Sequence, residues 1–154
     1  MNRALIICGI LFTVASQLIA QSGTAVGRQT AKNGEKVWLV INKIKFDKKQ
    51  EFDKILFGEV MPAAAEYRDK DDEKHELNKK SLKTIRILRP TQVNDDSTWT
   101  FLFIADPYIE GATYNIGPPL LQKYGEDGAQ AVFNRWSDCF AAGQEVYLNE
   151  QSDW

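Results

Sequence analysis

Histidine and cysteine are almost missing from this chain of 154 residues, which has one histidine, His75, and two cysteines, Cys8 and Cys139. A metal site built on imidazole or thiolate needs several such ligands in reach of one ion, so no metal is expected. A lone histidine inside the charged run 66–80 reads as a surface side chain. Ser137 lacks the strand-turn-helix glycines of a nucleophile elbow, and no glycine-rich phosphate loop occurs. Glu110, Glu126 and Asp127 are not brought together by any single regular element, so no paired-carboxylate site is indicated. Charge of one sign is also lacking. Lys and Arg number 19 against 21 Asp and Glu, a formal net charge of −2, and no basic field is available to hold nucleic acid or an anionic membrane. No cofactor and no nucleic-acid partner are expected.

Long hydrophobic runs are absent except at the start. Arg3 precedes the apolar stretch Ala4 to Ala15, and Ser16-Gln17-Leu18-Ile19-Ala20 provides a polar-to-small exit. This layout predicts a secretory signal peptide over residues 1–20. The apolar core is shorter than the roughly 20 residues of a membrane-spanning helix. Cys8 lies inside that core behind Ile7, where a lipoprotein signal needs a small residue. An exported protein follows, periplasmic or extracellular, with no membrane attachment after cleavage. Loss of the leader with its one cation moves the formal charge to −3 and leaves Cys139 as the only thiol, so no intrachain disulfide can form. Residues 21–35, with Gly23, Gly27 and Gly34 and no periodicity, predict a flexible tether, and residues 36–154 a single domain.

Within that domain, Val37 to Lys45 is rich in β-branched and aromatic residues and predicts a strand covered on both faces. Asp47 followed by Gln50 suggests a capping box. Phe52, Ile55, Leu56, Val60, Ala63, Ala64 and Tyr67 then trace one helical stripe, which Pro62 should kink near Met61. The charged run 66–80 predicts a solvated connection. Thr84 to Arg89 alternates and stops at Pro90, as an edge strand does. Thr98 to Ala105 predicts a central strand, with Trp99, Phe101 and Phe103 on one side and Leu102 and Ile104 on the other. Pro118-Pro119 opens a short helix through Tyr124, and Ala129, Val132, Phe133, Trp136 and Phe140 mark another that should end at Gly143. Glu145 to Leu148 predicts a last strand.

The order βαββαβ is the α+β, ferredoxin-like arrangement, with helices on one face of the sheet. Both central strands carry apolar residues on both faces, so the uncovered face needs a cover. A second copy placed sheet to sheet is the economical one, and a homodimer is expected.

Six residues stand out as candidate pocket residues. Asn42 interrupts the apolar face of Trp38, Val40 and Ile44, and a buried amide left unpaired costs about 1–3 kcal/mol, so it should meet a ligand or a backbone partner. Trp99, Tyr108, Tyr114 and Trp136 could form apolar walls with polar tips, or serve as core and dimer contacts. Asp106, with Pro107 and Tyr108, sits where the central strand ends and a loop leaves, although it could simply cap a turn. The segment 109–117 would then lie over the mouth. No catalytic residue can be named.

The segments Phe52-Asp53-Lys54-Ile55-Leu56, Val60-Met61-Pro62-Ala63-Ala64, Phe103-Ile104-Ala105-Asp106-Pro107, and Tyr114-Asn115-Ile116 ahead of Leu120-Leu121-Gln122-Lys123-Tyr124-Gly125 resemble parts of the dimeric α+β barrel superfamily, among bacterial members with no assigned activity. The resemblance implies a ferredoxin-like sheet that dimerises into an α+β barrel. More distantly it extends to the monooxygenases of antibiotic biosynthesis, whose cofactor-independent members act on aromatic substrates. The haem-degrading branch is similar in an Asn, Trp and His set. Asn42 and Trp99 could stand for the first two, but His75 precedes Trp99 in the chain where that branch has its histidine later. Three functions follow as expectations: an exported binding protein for a small apolar or aromatic molecule, a cofactor-independent monooxygenase with an aromatic substrate, or a structural dimer of the envelope.

Overall fold

The computed structural model of the protein describes residues 29–154; the expected signal peptide and most of the expected tether lie outside them. Four strands form one antiparallel sheet, β1 (Lys36–Lys45), β2 (Ile85–Leu88), β3 (Thr98–Ala105) and β4 (Glu145–Glu150), in the order β2-β3-β1-β4. This is the ferredoxin-like order, with the two longest strands in the middle. Register follows the alternation of the sequence. Val40 faces Phe103, Asn42 faces Phe101 and Ile44 faces Trp99, so these six share one side of the sheet. Leu39 opposite Ile104 and Ile41 opposite Leu102 share the other.

The first side is covered by helices. After a 3-10 turn at Phe46–Lys48 the chain enters α1 (Lys49–Ile55), passes through a π-helical turn at Leu56–Val60, and continues as α2 (Met61–Glu66). Pro62 explains the widened turn, because it supplies no amide to the preceding carbonyls and its ring crowds them. The stripe of the sequence is the buried face: Phe52, Ile55, Leu56, Val60 and Ala63 are all at least nine-tenths buried. Phe52 is the hub, its ring 4.4 Å from Trp136, 4.7 Å from Phe101 and 5.6 Å from Phe140. Truncating such a residue costs about 3–5 kcal/mol. The long helix α4 (Gly117–Asp138) bends at Gly125, where φ is 70°, so the two expected helices are two arms of one element.

Four local expectations are corrected. The charged run is no connection but the start of α3 (Asp72–Thr84), capped by Asp71, whose carboxylate accepts from the Lys74 amide at 2.9 Å. Asp47 makes no capping bond, since the 3-10 turn carries the chain past it before α1 begins. The last helix stops at Asp138 rather than Gly143, because Phe140 already bridges to Ile44 and the Ala141 amide donates to the Lys43 carbonyl. The end of the expected tether is tied to the domain: Ala31 donates its amide to Asp106 at 2.6 Å, and Gly34 to the Gln151 carbonyl at 2.9 Å. Among the described residues no helix is long and apolar enough to cross a membrane.

Candidate functional site

Between the helix-covered side of the sheet and the helices lies a cleft of about 340 Å³. Trp38 and Val40 of β1, with Phe103 of β3, form its floor. Leu56, Val60 and Ala64 form one wall. Asn78, Ser81 and Leu82 of α3 form the second, and Phe133 and Trp136 of α4 the third. The strap between β3 and α4 closes it with Thr113, Tyr114, Asn115 and Ile116.

The strap is held by local chemistry. Tyr108 stacks on Tyr114 with centroids 5.0 Å apart, and Tyr114 in turn packs on Trp38 at 5.0 Å. The Tyr114 hydroxyl accepts from the Ile109 amide at 2.9 Å, while the Tyr108 amide donates to the Lys36 carbonyl at 2.7 Å. Thr113 donates its amide to Asn78 Oδ1 at 2.7 Å, which ties the strap to α3. The segment expected over the mouth is therefore a bonded wall.

Of the six candidates, Tyr114 and Trp136 line the cleft, and Tyr108 backs Tyr114. Asn42 is fully buried one layer behind. Its Oδ1 accepts from Gln144 Nε2 at 2.6 Å, its Nδ2 has only long bonds of 3.4 Å to the Phe101 carbonyl and 3.5 Å to the Val40 carbonyl, and Gln144 is the member of the pair that reaches the cleft. Trp99 is placed elsewhere. It stacks on Phe46 at 6.0 Å and donates Nε1 to the Phe46 carbonyl at 3.0 Å, because β3 carries it to the opposite end of the sheet from the strap. Asp106 is committed to structure, pairing with Arg86 of β2 while it accepts from Ala31.

Trp38, Asn78 and Gln144 were missed as cleft residues. Trp38 shares the face of Val40 and Asn42, so alternation alone could have found it. Asn78 carries no such signal, since it lies in a run whose composition reads as solvent-exposed.

The chemistry of the walls is narrow. Among the lining residues there is no carboxylate, amine, guanidinium or imidazole. The titratable groups are two phenols, Tyr67 and Tyr114, and burial pushes both pKa values up. Each therefore stays protonated at neutral pH, suited to donating a hydrogen bond rather than accepting a proton. Among the described residues no group of three or more His, Cys, Asp or Glu side chains could hold a metal ion.

No protein-family model matches the sequence, and no curated protein matches it. Two solved structures are similar. A protein of Caulobacter crescentus CB15, provisionally described as an antibiotic biosynthesis monooxygenase, is 11% identical over 79% of this chain and 92% of its own, with a TM-score of 0.38. One from Nitrosomonas europaea with the same provisional description is 11% identical over 78% and 92%, with a TM-score of 0.36.

Proposed function

We propose that this protein is an exported homodimer that binds a small apolar or aromatic molecule in the cleft beneath the strap. The observation that supports the reading is the composition of that cleft: aromatic and aliphatic walls with a few amides and phenols, and no charged group among the lining residues. Such a surface favours an uncharged ligand, because a charge taken out of water there would meet no counter-charge. A volume of about 340 Å³ suits a compact ring system. Dimerisation is supported by the other side of the sheet, where Leu39, Ile41, Leu102 and Ile104 are only half-buried and Leu88 and Tyr147 are exposed. A second copy of the sheet would cover them. Export is supported by the composition of residues 1–20. Native mass spectrometry of protein recovered from its own host tests all three: a dimer, shortened at its N-terminus and carrying a small molecule, is expected. A full-length monomer without a bound molecule would overturn the reading.

A cofactor-independent monooxygenase is the second reading, favoured by the same aromatic cleft. Its walls hold no general base, so an aromatic substrate would have to lose its proton to solvent before its anion passes electrons to oxygen, with Tyr114 donating to the developing oxyanion. Oxygen uptake with an electron-rich phenolic substrate, lost in Tyr114→Phe, is the expected signature.

A further inference from the structure

Among the described residues, Asn78 is the one cleft side chain with a buried polar atom that has no hydrogen-bond partner. It lies on the buried face of α3, is 6% exposed, and lines the cleft. The amide orientation is fixed. Its oxygen accepts the Thr113 amide at 2.7 Å, and turning the group over would set two donors against each other. Its Nδ2 is thereby left sealed from solvent without a hydrogen-bond partner. No neighbouring oxygen accepts from it: the Ser81 and Thr84 hydroxyls donate to the Asn78 and Ser81 carbonyls, both at 2.9 Å, and neither oxygen is bonded to Nδ2.

A buried donor with no acceptor is costly, and native structures rarely keep one without a use. We infer that Asn78 is the specificity-determining residue of the cleft: a small inward shift of its side chain would carry Nδ2, sealed where it now stands, against a carbonyl-type oxygen on an otherwise apolar ligand. The inference rests on the proposed binding role and names the ligand's polar feature. The uncharged walls select a neutral acceptor, a ketone or quinone oxygen, over a carboxylate, whose charge would go uncompensated. Because the Asn78 oxygen holds the strap through Thr113, an acceptor that draws the amide inward acts at the point where α3 and the strap meet.

A matched pair of probes tests this: 9-fluorenone and fluorene share a ring skeleton and differ by the ketone. Quenching of the fluorescence of Trp38 and Trp136, both on the cleft, reports binding of each. Wild-type protein is expected to favour fluorenone about fivefold, the range of one net hydrogen bond. Asn78→Leu, which keeps the size and removes the donor together with the acceptor that Thr113 uses, should bring the two affinities to parity whatever it does to their absolute values. Should Asn78→Leu fail to fold, Asn78→Asp measured at pH 8 replaces it, since a carboxylate can still accept from Thr113 and offers no donor. Equal preference in wild type and variant would overturn the role of Asn78 and leave the cleft as a binding site. Saturable binding of neither probe to wild type would overturn the binding reading itself, and the assignment of Asn78 with it.

Discussion

Gln144 and Asn42, 102 residues apart, are joined by a hydrogen bond of 2.6 Å that links the loop after α4 to the centre of β1. The bond is the best one Asn42 makes, because its amide nitrogen reaches two carbonyls only at 3.4 and 3.5 Å. An amide with no exposed surface depends on it. Gln144→Ala should therefore destabilise the fold by about 1–3 kcal/mol, the range for a buried acceptor that loses its partner. Urea unfolding measures it. Since Asn42 is the group left unsatisfied, Asn42→Leu combined with Gln144→Ala should cost less than the sum of the two single changes. Strict additivity would show that the pair does not act as a unit.

Most of the sheet could be read from the residues, and α3 could not, for one physical reason. β1 and β3 bury apolar side chains on alternate positions, so period-two alternation is written in the chain. The stripe from Phe52 to Ala63 is equally plain. In α3 the buried positions are Asn78, Ser81 and Thr84; the two hydroxyls bond to carbonyls one turn back and the Asn78 oxygen takes the Thr113 amide, so none of the three is buried by apolar packing. A helix with a polar buried face leaves no hydrophobic period to find. The cleft was half legible for the same reason: Tyr114 and Trp136 announced themselves as aromatics, whereas Asn78 was hidden in the charged run. Asp106 and Trp99 looked like pocket residues because strand ends and tryptophans often are, and nothing in the chain marks the Arg86 and Phe46 partners that occupy them.

Cys139 should be an unreactive thiol until the protein opens. Its side chain is fully buried, and burial pushes the thiol up to about 11, with the Sγ donating to the Arg135 carbonyl at 3.2 Å. In the unfolded chain it would titrate near 8.5. Between these values the unfolded state has lost a proton that the folded state keeps, so ν_U is smaller than ν_N and the slope of unfolding free energy against pH is negative. The thiol contributes stability that is complete below about pH 8.5 and is lost as pH rises toward about 11. Alkylation by iodoacetamide at pH 8, on protein without its leader, should be slow and should accelerate at the denaturant concentration that unfolds the domain. Fast alkylation of folded protein at pH 8 would contradict the burial of Cys139.

Gly125 sets the bend of α4, and with it the separation of the arm bearing Leu120 from the arm bearing Trp136. Its φ of 70° with ψ of −178° belongs to backbone that glycine alone adopts easily. Space does not forbid a side chain, since nothing lies within 4 Å of where a Cβ would stand. The cost of Gly125→Ala is thus conformational, about 1–3 kcal/mol. At about 4 °C per kcal/mol for a domain of this size, the melting temperature should fall by about 4–12 °C. An unchanged melting temperature would mean that the helix straightens without loss.

The uncovered side of the sheet makes the proposed dimer open to a single substitution. Ile41 stands opposite Leu102 at the middle of the two central strands, half-buried in one copy of the chain. Facing a second sheet it would be enclosed, and Ile41→Lys would place there an ammonium whose one acidic partner across the strands, Glu145 of β4, is exposed at the sheet edge. Burying that charge costs several kcal/mol, enough to separate the copies. Within one copy the lysine can reach water, so the fold and the cleft on the other side should persist. Light scattering coupled to size exclusion should show a dimer for the unaltered protein and a monomer for Ile41→Lys, with unchanged circular dichroism and unchanged fluorenone binding. If wild type and variant share one mass, the sheet faces are not the interface. If binding is lost together with the dimer, the cleft needs a residue from the second copy.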